Sequence, residues 1–401
     1  MQNTARRAFV LLLLLGSAAA SSAELTPQQK AGHLLDRLAY GPAPGDLDRV
    51  MKLGPDRYID EQLDPDRIEE PEALQQQLDS LETLRLGVAE LYRRYGPQER
   101  KQVRDDPEAK KQYQRAVNHV AEQAMQARLM RAVYSPAQLQ EVMTDFWFNH
   151  FNVFRGKGLD RIWLAAYERD AIRPYAMGRF RDLLGATARH PAMLFYLDNW
   201  QSTIVKTDFF GDQKGGLNEN YAREVMELHT LGVDGGYTQK DVTELARVLT
   251  GWTFLPKDWL RGGNAPFAFE PKRHDFGDKL VLGRKFGGDG QAEGERALDM
   301  LARSPATAHH ISYELAQYFV ADDPPPALVD RLAKRFLQTD GDIREVLRTL
   351  FHSPEFWSAD HLGNKFKTPY QYVVFSFYFI FYFLLITFRY LSKKKKNYCL
   401  R

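Results

Sequence analysis

Residues 218–239 read NENYAREVMELHTLGVDGGYTQ, the densest run of chemically able side chains in this sequence. Carboxylates and histidines suit acid–base work when burial or a neighbour moves their pKa. The run predicts one helix, with Asn218 as its N-cap and Gly232 just past its end. At about 100° per residue, Glu219, Arg223, Glu227 and Thr230 share one side, an i, i+4, i+8 ladder that ordinarily faces solvent. Tyr221, Val225 and Leu228 centre the opposite, apolar side, and Glu224 and His229 fall within its arc. These two are about 140° apart, so one helix cannot close both on one ion. The i, i+4 histidine pair of a zinc-protease helix is absent. Asn220 lies one turn before Glu224, which makes Asn220–Glu224 one polar locus and His229 another. A core histidine satisfied by its neighbours is the competing reading for His229. A carboxylate on a buried face needs a partner whatever its role.

Three further places set polar groups into apolar walls. In DFWFNHFNV, Asp145, Asn149, His150 and Asn152 alternate with Phe146, Trp147, Phe148 and Phe151. Helical spacing puts Asp145 with Asn149 and Asn149 with Asn152. The stretch reads either as a pocket lining or as a helix end capped by Asn and His. Asp198-Asn199 follow an apolar segment, and His274-Asp275 lie in a region of strand character. Adjacent strand residues point to opposite faces, so only one of that last pair can serve a given site. Trp252, in LTGWTF, could stack on a ligand ring or simply pack. These residues define an expected site: Glu224, His150 and Asp198 as catalytic groups, with Asn149, Asn199, Asn220, His229, Trp252, His274 and Trp147 as its binding wall. A divalent metal held by His and carboxylates would suit such a site, although no ligand spacing supports one. No serine-nucleophile elbow, phosphate-binding lysine loop or dinucleotide-binding glycine pattern is present.

The elements that must position these groups read as mainly α, a multi-helical globular body with a small hairpin-like β excursion at residues 265–288. Short amphipathic helices broken by Gly and Pro fill the first part, with Asp46, Asp64 and Glu70 near helix starts. Residues 91–133 are highly charged and read as a solvated helix pair, with a sub-boundary near residue 135. The motif ADDPPP at residues 321–326 should stop a helix.

Both ends differ from the body. Residues 1–23 hold Arg6 and Arg7, an apolar run and small residues, which is the pattern of a secretory signal of either the general or the twin-arginine type. Residues 24–371 form the body. Residues 372–388 carry no charge and are followed by Arg389 and Lys393 to Lys396. They read as a membrane anchor with a cytoplasmic basic flank, or as a departure from the proper reading frame near Phe375. The formal charge is +2, but setting aside the eight basic residues of the two ends leaves 46 basic against 52 acidic. An acidic body argues against general nucleic-acid binding. The single cysteine, Cys399, leaves the body without a disulfide or a thiolate metal site.

LDNWQS, GLNENYAREVMELHTLGVDGGYTQKDVTELARVLTGWTF, WFNHFNVF and FVADDPPPALVDRLAKRF resemble the bacterial domain of unknown function 1800 family, as does the opening AGHLLDRLAYGPAPGDLDRV. The resemblance covers about residues 30–373. It implies an exported, mainly helical protein of the periplasm or cell envelope, with no established reaction. It also implies a genomic neighbour, the sulfatase-like domain of unknown function 1501 family, as a partner. Members usually continue past KTPYQYVV with more helices, so the resemblance implies a truncated or misread end after about residue 373. The membrane would then be reached only through the tail. Two functions follow as expectations: an envelope enzyme of hydrolase type using buried carboxylate and His groups, or a non-catalytic binding or assembly protein.

Overall fold

The computed structural model describes residues 24–204, 206–207, 213–214 and 216–378. The expected secretory signal, residues 1–23, lies outside them, as does the expected tail beyond residue 378. The body is mainly helical, as its apolar periodicity predicts. Polar residues at helix starts do the stopping and starting. Thr26 and Gln29 form a capping box at Pro27–Leu38, and Asp106 accepts from two backbone N–H groups at the start of Pro107–Tyr134. ADDPPP separates Pro305–Phe319 from Pro326–Gln338, as expected of prolines that cannot continue a helix.

Among the described residues the β structure is three short antiparallel pairs. Two of them use the predicted excursion. Trp252–Thr253 pairs with Ala268–Phe269, and Lys279–Val281 pairs with Arg284–Phe286. The second hairpin turns on Leu282 and Gly283, both at positive φ (48° and 76°), the mirror-image turn that suits strand twist. Leucine is costly there, and its backbone N–H is held by the Asp241 carboxylate at 2.7 Å.

One apolar core runs from Ala31 to Tyr378 and joins residues on both sides of position 135. Four tryptophans, Trp147, Trp163, Trp252 and Trp259, are fully buried in it. The Trp252 ring lies so close to Gly294 that a Cβ there would be 2.3 Å away, so only glycine allows that contact. Residues 369–378 are helical and join the same core: Val374 and Tyr378 are buried, and the Tyr378 hydroxyl donates to the Ala132 carbonyl at 2.8 Å. The first part of the expected tail, 372–378, therefore packs on the body. No helix among the described residues is long and apolar enough to cross a membrane, and residues 379–388 lie outside them.

Two expectations need correcting. The helix in the opening motif spans only Asn220–Glu227, not the run to Gly232. Both Leu228 and His229 donate their N–H to the Glu224 carbonyl, the second an i, i−5 bond that widens the last turn. Leu228, placed at the centre of the apolar side, is the C-cap of the shortened helix and is 49% exposed. Likewise, the charged 91–133 stretch is not solvated throughout. Its long helix buries Val117, Val120, Ala124 and Ala127, and Arg128 near its end joins a buried ion network.

Candidate functional site

The helix Gln138–His150 carries Trp147 and His150 into the core. The Trp147 indole donates to the Ala176 carbonyl at 2.8 Å, which fixes the helix end. From there His150 donates Nε2–H to the His229 carbonyl at 3.2 Å. Its Nδ1 lies 2.8 Å from Glu314 Oε2, with the carboxylate out of line for a hydrogen bond. On the next turn of the Glu314 helix, His310 Nε2 sits 3.6 Å from the other carboxylate oxygen and donates to the Leu228 carbonyl. Burial pushes the Glu314 carboxyl up, but His150 and His310 more than offset it, and the group ends below its ordinary value. His229 packs on Phe151, ring centroids 4.9 Å apart, with Nδ1 unpartnered. Burial and the neighbouring His150 push its pKa well below the ordinary value. The structure thus brings Trp147, His150 and His229 together. It adds Glu314 and His310, whose i, i+4 spacing was a readable signal that the sequence reading passed over.

Asp198 lies elsewhere. It sits in the left-handed region at φ 59° and pairs with Lys157 at 2.9 Å. Near that pair is Asp160, fully buried, with neither carboxylate oxygen hydrogen-bonded. Burial pushes the Asp160 carboxyl up to about 8, against the pull of Lys157 and with a further push from Asp198. Its sequence neighbours Leu159 and Arg161 line a groove of about 940 Å³ with Tyr95, Phe195, Trp200 and Phe254. Asp160 starts a helix, and nothing in the sequence marked it as buried.

A third locus holds Asn199, Trp252 and His274. Asn199 Nδ2 donates to the carbonyls of Leu249 and Trp252 at 3.3 and 3.4 Å. Trp252 is fully buried, edge-on to Phe267. His274 donates Nδ1–H to the Thr250 carbonyl at 2.8 Å; Asp275 sends its carboxylate to Arg247 and its N–H to the Thr250 hydroxyl, and neither residue lies in a strand. His274 Nε2 faces Glu293 at 3.8 Å, and Glu293 pairs with Lys279 at 2.7 Å, all three side chains without exposure.

The remaining nominees stand apart. Asn149 is exposed and bonds back to the Asp145 carbonyl of its own helix. Asn220 is exposed, with its N–H on Asn218. Glu224 is half-buried; burial and the nearby Glu227 raise its pKa. Among the described residues no hydrogen bond, ion pair or ring contact joins Glu224, His150 and Asp198. No group of three His, Cys, Asp or Glu residues converges there as a metal set either.

The largest cluster of buried charge was not foreseen. Glu168 accepts from Arg173 at 2.9 Å and pairs with Arg128 at 3.2 Å and Arg131 at 4.0 Å. Arg173 also forks onto both oxygens of Glu141, at 2.6 and 2.8 Å, and Arg128 reaches Asp145. Residues Glu168–Ile172 form a π-helical turn, whose i, i+5 periodicity lets Glu168 and Arg173 meet. An α-helical reading would have set them on different sides.

The fold and these loci define a mainly helical protein that carries several separate buried polar networks. A family model described as a protein of unknown function, DUF1800, matches residues 33–387, and the chain belongs to that family. No curated protein and no solved structure matches it.

Proposed function

We propose that the chain is an exported, non-catalytic binding or assembly protein of the cell envelope that works with the sulfatase-like protein of the domain of unknown function 1501 family. Export rests on the basic pair, apolar run and small residues of positions 1–23. The observation that carries the non-catalytic reading is at His150, one of the expected catalytic groups. One of its nitrogens is spent on a backbone carbonyl, and the other is covered by the Glu314 carboxylate at 2.8 Å, which blocks a substrate's approach to it. Asn199 and His274 likewise spend their donors on backbone carbonyls. Polar groups committed in this way fix how helices pack. Co-expression with the sulfatase-like neighbour tests the reading: the two should co-purify as a complex that survives washing in moderate salt. Two proteins that elute independently would sink it.

One observation favours a second reading, an enzyme of hydrolase type. Asp160, pushed up to about 8, and Asp198, paired with Lys157, are two carboxyl groups in contrasting environments beside an aromatic groove. Such a contrast suits an acid and an ionised partner. A screen of esters, glycosides and peptides should then find turnover that Asp160→Asn abolishes without loss of fold. Turnover unchanged in that variant would remove this reading.

A further inference from the structure

A cavity of about 420 Å³ opens over the buried arginine network. It lies away from the loci used above, and its failure would leave the proposed function standing. Its floor holds Arg128, Arg131, Arg173 and Glu168, and its apolar wall includes Phe148, Phe154 and Leu164. That volume is in the range of small-molecule sites, which are typically apolar with a few placed polar groups.

The arginines are not equally spent. Arg173 is consumed by Glu141 and Glu168, and Arg128 by Asp145 and Glu168 while stacked 4.4 Å over the Phe148 ring. Arg169 is held by Asp170 and by the carbonyls of Leu84 and Leu86. Arg131 is different. Its side chain is 26% exposed, and its only ion pair among the described residues is Glu168 at 4.0 Å. It makes no side-chain hydrogen bond there. Burial and the neighbouring Arg173 both work against its charge, a cost that an anion in the cavity would relieve. Arg155 lines the cavity from an exposed position, and the only polar contact of its guanidinium among the described residues is the Met125 sulfur at 3.2 Å. Phe154 beside it is 59% exposed. Four of the five arginines lining the cavity face carboxylates, Glu141, Asp145, Glu168 and Asp170, and Glu70 also favours the charge of Arg131, whereas Arg155 has no carboxylate partner among the described residues. The floor also includes the π-helical turn, a rare element found frequently at functional sites.

We infer that this cavity binds an organic monoanion with an apolar body. Its oxyanion head sits on Arg131, with Arg155 closing over it from the mouth, and its body lies along Phe148, Phe154 and Leu164. A guanidinium suits the head because its paired donors match a carboxylate, sulfonate or phosphate edge. Glu168 at the floor limits the head to a single charge. A fatty acid and an aromatic acid both present this chemistry.

The test titrates 8-anilinonaphthalene-1-sulfonate, a fluorescent sulfonate with an aromatic body, into the purified full chain. Competitors then separate head from body: decanoate, 2-naphthoate, decyltrimethylammonium and inorganic phosphate. Decanoate or 2-naphthoate should displace the probe, and the tighter of the two identifies the body. Arg131→Met should weaken the probe by about tenfold, the usual scale for losing a charge-assisted hydrogen bond. Arg155→Gln, at an exposed position, should weaken it by less and decides the matter if the first variant does not fold. The inference is overturned if decyltrimethylammonium competes as well as decanoate. It is also overturned if phosphate alone displaces the probe, or if folded Arg131→Met, or Arg155→Gln in its place, binds it like the wild type.

Discussion

Asp160 and Glu168 lie at the two ends of one short helix, Asp160–Tyr167, and both are buried. Their carboxyl groups meet opposite fates. Burial pushes both up. At Glu168 the guanidinium groups of Arg173, Arg128 and Arg131 more than compensate, and the group ends below its ordinary value. At Asp160 no donor reaches either oxygen, Lys157 attracts only from outside hydrogen-bond contact, and the group climbs to about 8. Burial alone does not decide whether a carboxyl keeps its charge; the supply of donors does. Two regions a few turns apart therefore hold a stored charge and a stored proton.

The sharpest way to break this contrast is Glu168→Gln, which keeps the shape and removes the charge. Arg128, Arg131 and Arg173 would then share one fewer carboxylate in a buried site. Removing one member of a buried ion cluster costs about 3–5 kcal/mol. Urea denaturation near neutral pH should show a loss of that order. A loss below about 1 kcal/mol would mean that water already screens the network.

Asp160→Asn should act in the opposite direction. Because the folded pKa is raised from 3.8 to about 8, the folded state binds a proton that the unfolded chain has released. Stability therefore falls as pH rises from about 3.8 through 8, and the full cost is present above that. The variant has no such proton to lose, so its advantage should be near zero at pH 4 and a few kcal/mol at pH 9, by order of magnitude. An advantage that is the same at both pH values would show that Asp160 is ionised in the fold.

His33 mirrors Asp160 with the sign reversed. Burial, then the nearby Arg37, lowers its pKa from 6.5 to about 4, while its Nε2–H donates to the Phe356 carbonyl at 2.8 Å. Below pH 6.5 the unfolded chain gains a proton that the folded state refuses, so stability is lost as pH falls from 6.5 towards 4. The slope is about 1.4 kcal/mol per pH unit at most. His33→Gln retains a donor without a titrating ring, so denaturation at pH 6.5 and 5.5 should show a shallower fall by about 1 kcal/mol. An unchanged slope would place the proton uptake elsewhere, on His190 or His229, which burial also lowers.

How much of this was legible depends on which contacts are local. Periodicity and punctuation suffice for the mainly helical body, the stop at ADDPPP and the β hairpin within residues 265–288, because each depends on a few neighbouring residues. The Glu219–Arg223 rung of the ladder is present at 3.2 Å for the same reason. What failed was the assumption of a constant 100° per residue. The helix stops at Glu227 and leaves Leu228 exposed at its cap, and the π-turn at 168–172 hides the Glu168–Arg173 pairing from any α-helical template. Asp145 stood out among aromatics, but its partner Arg128 comes from another helix and sat in a stretch that composition alone marks as solvated. Trp147, His150 and His229 do gather, whereas Glu224 and Asp198 remain apart, since side-chain type says nothing about which helix faces which.

The smallest expected effect tests the solvent-facing end of the comparison. Arg223 is the same residue type as Arg128, but its side chain is 40% exposed. It touches Glu219 at 3.2 Å and Gln239 at 2.9 Å. Glu219 does not depend on it: the Thr243 hydroxyl donates at 2.6 Å and Gln239 at 2.8 Å, and the Thr243 bond is the main cause of that carboxyl's lowered pKa. Arg223→Ala therefore strands no buried charge and removes the entropy cost of holding a long side chain in one geometry. The expected loss is below about 0.5 kcal/mol, shrinking further in 0.5 M salt as screening removes what Coulomb term remains. A loss above about 1.5 kcal/mol that persists in salt would show that the ladder, read as a solvated face, is a structural joint between the helices Asn220–Glu227 and Gln239–Val248.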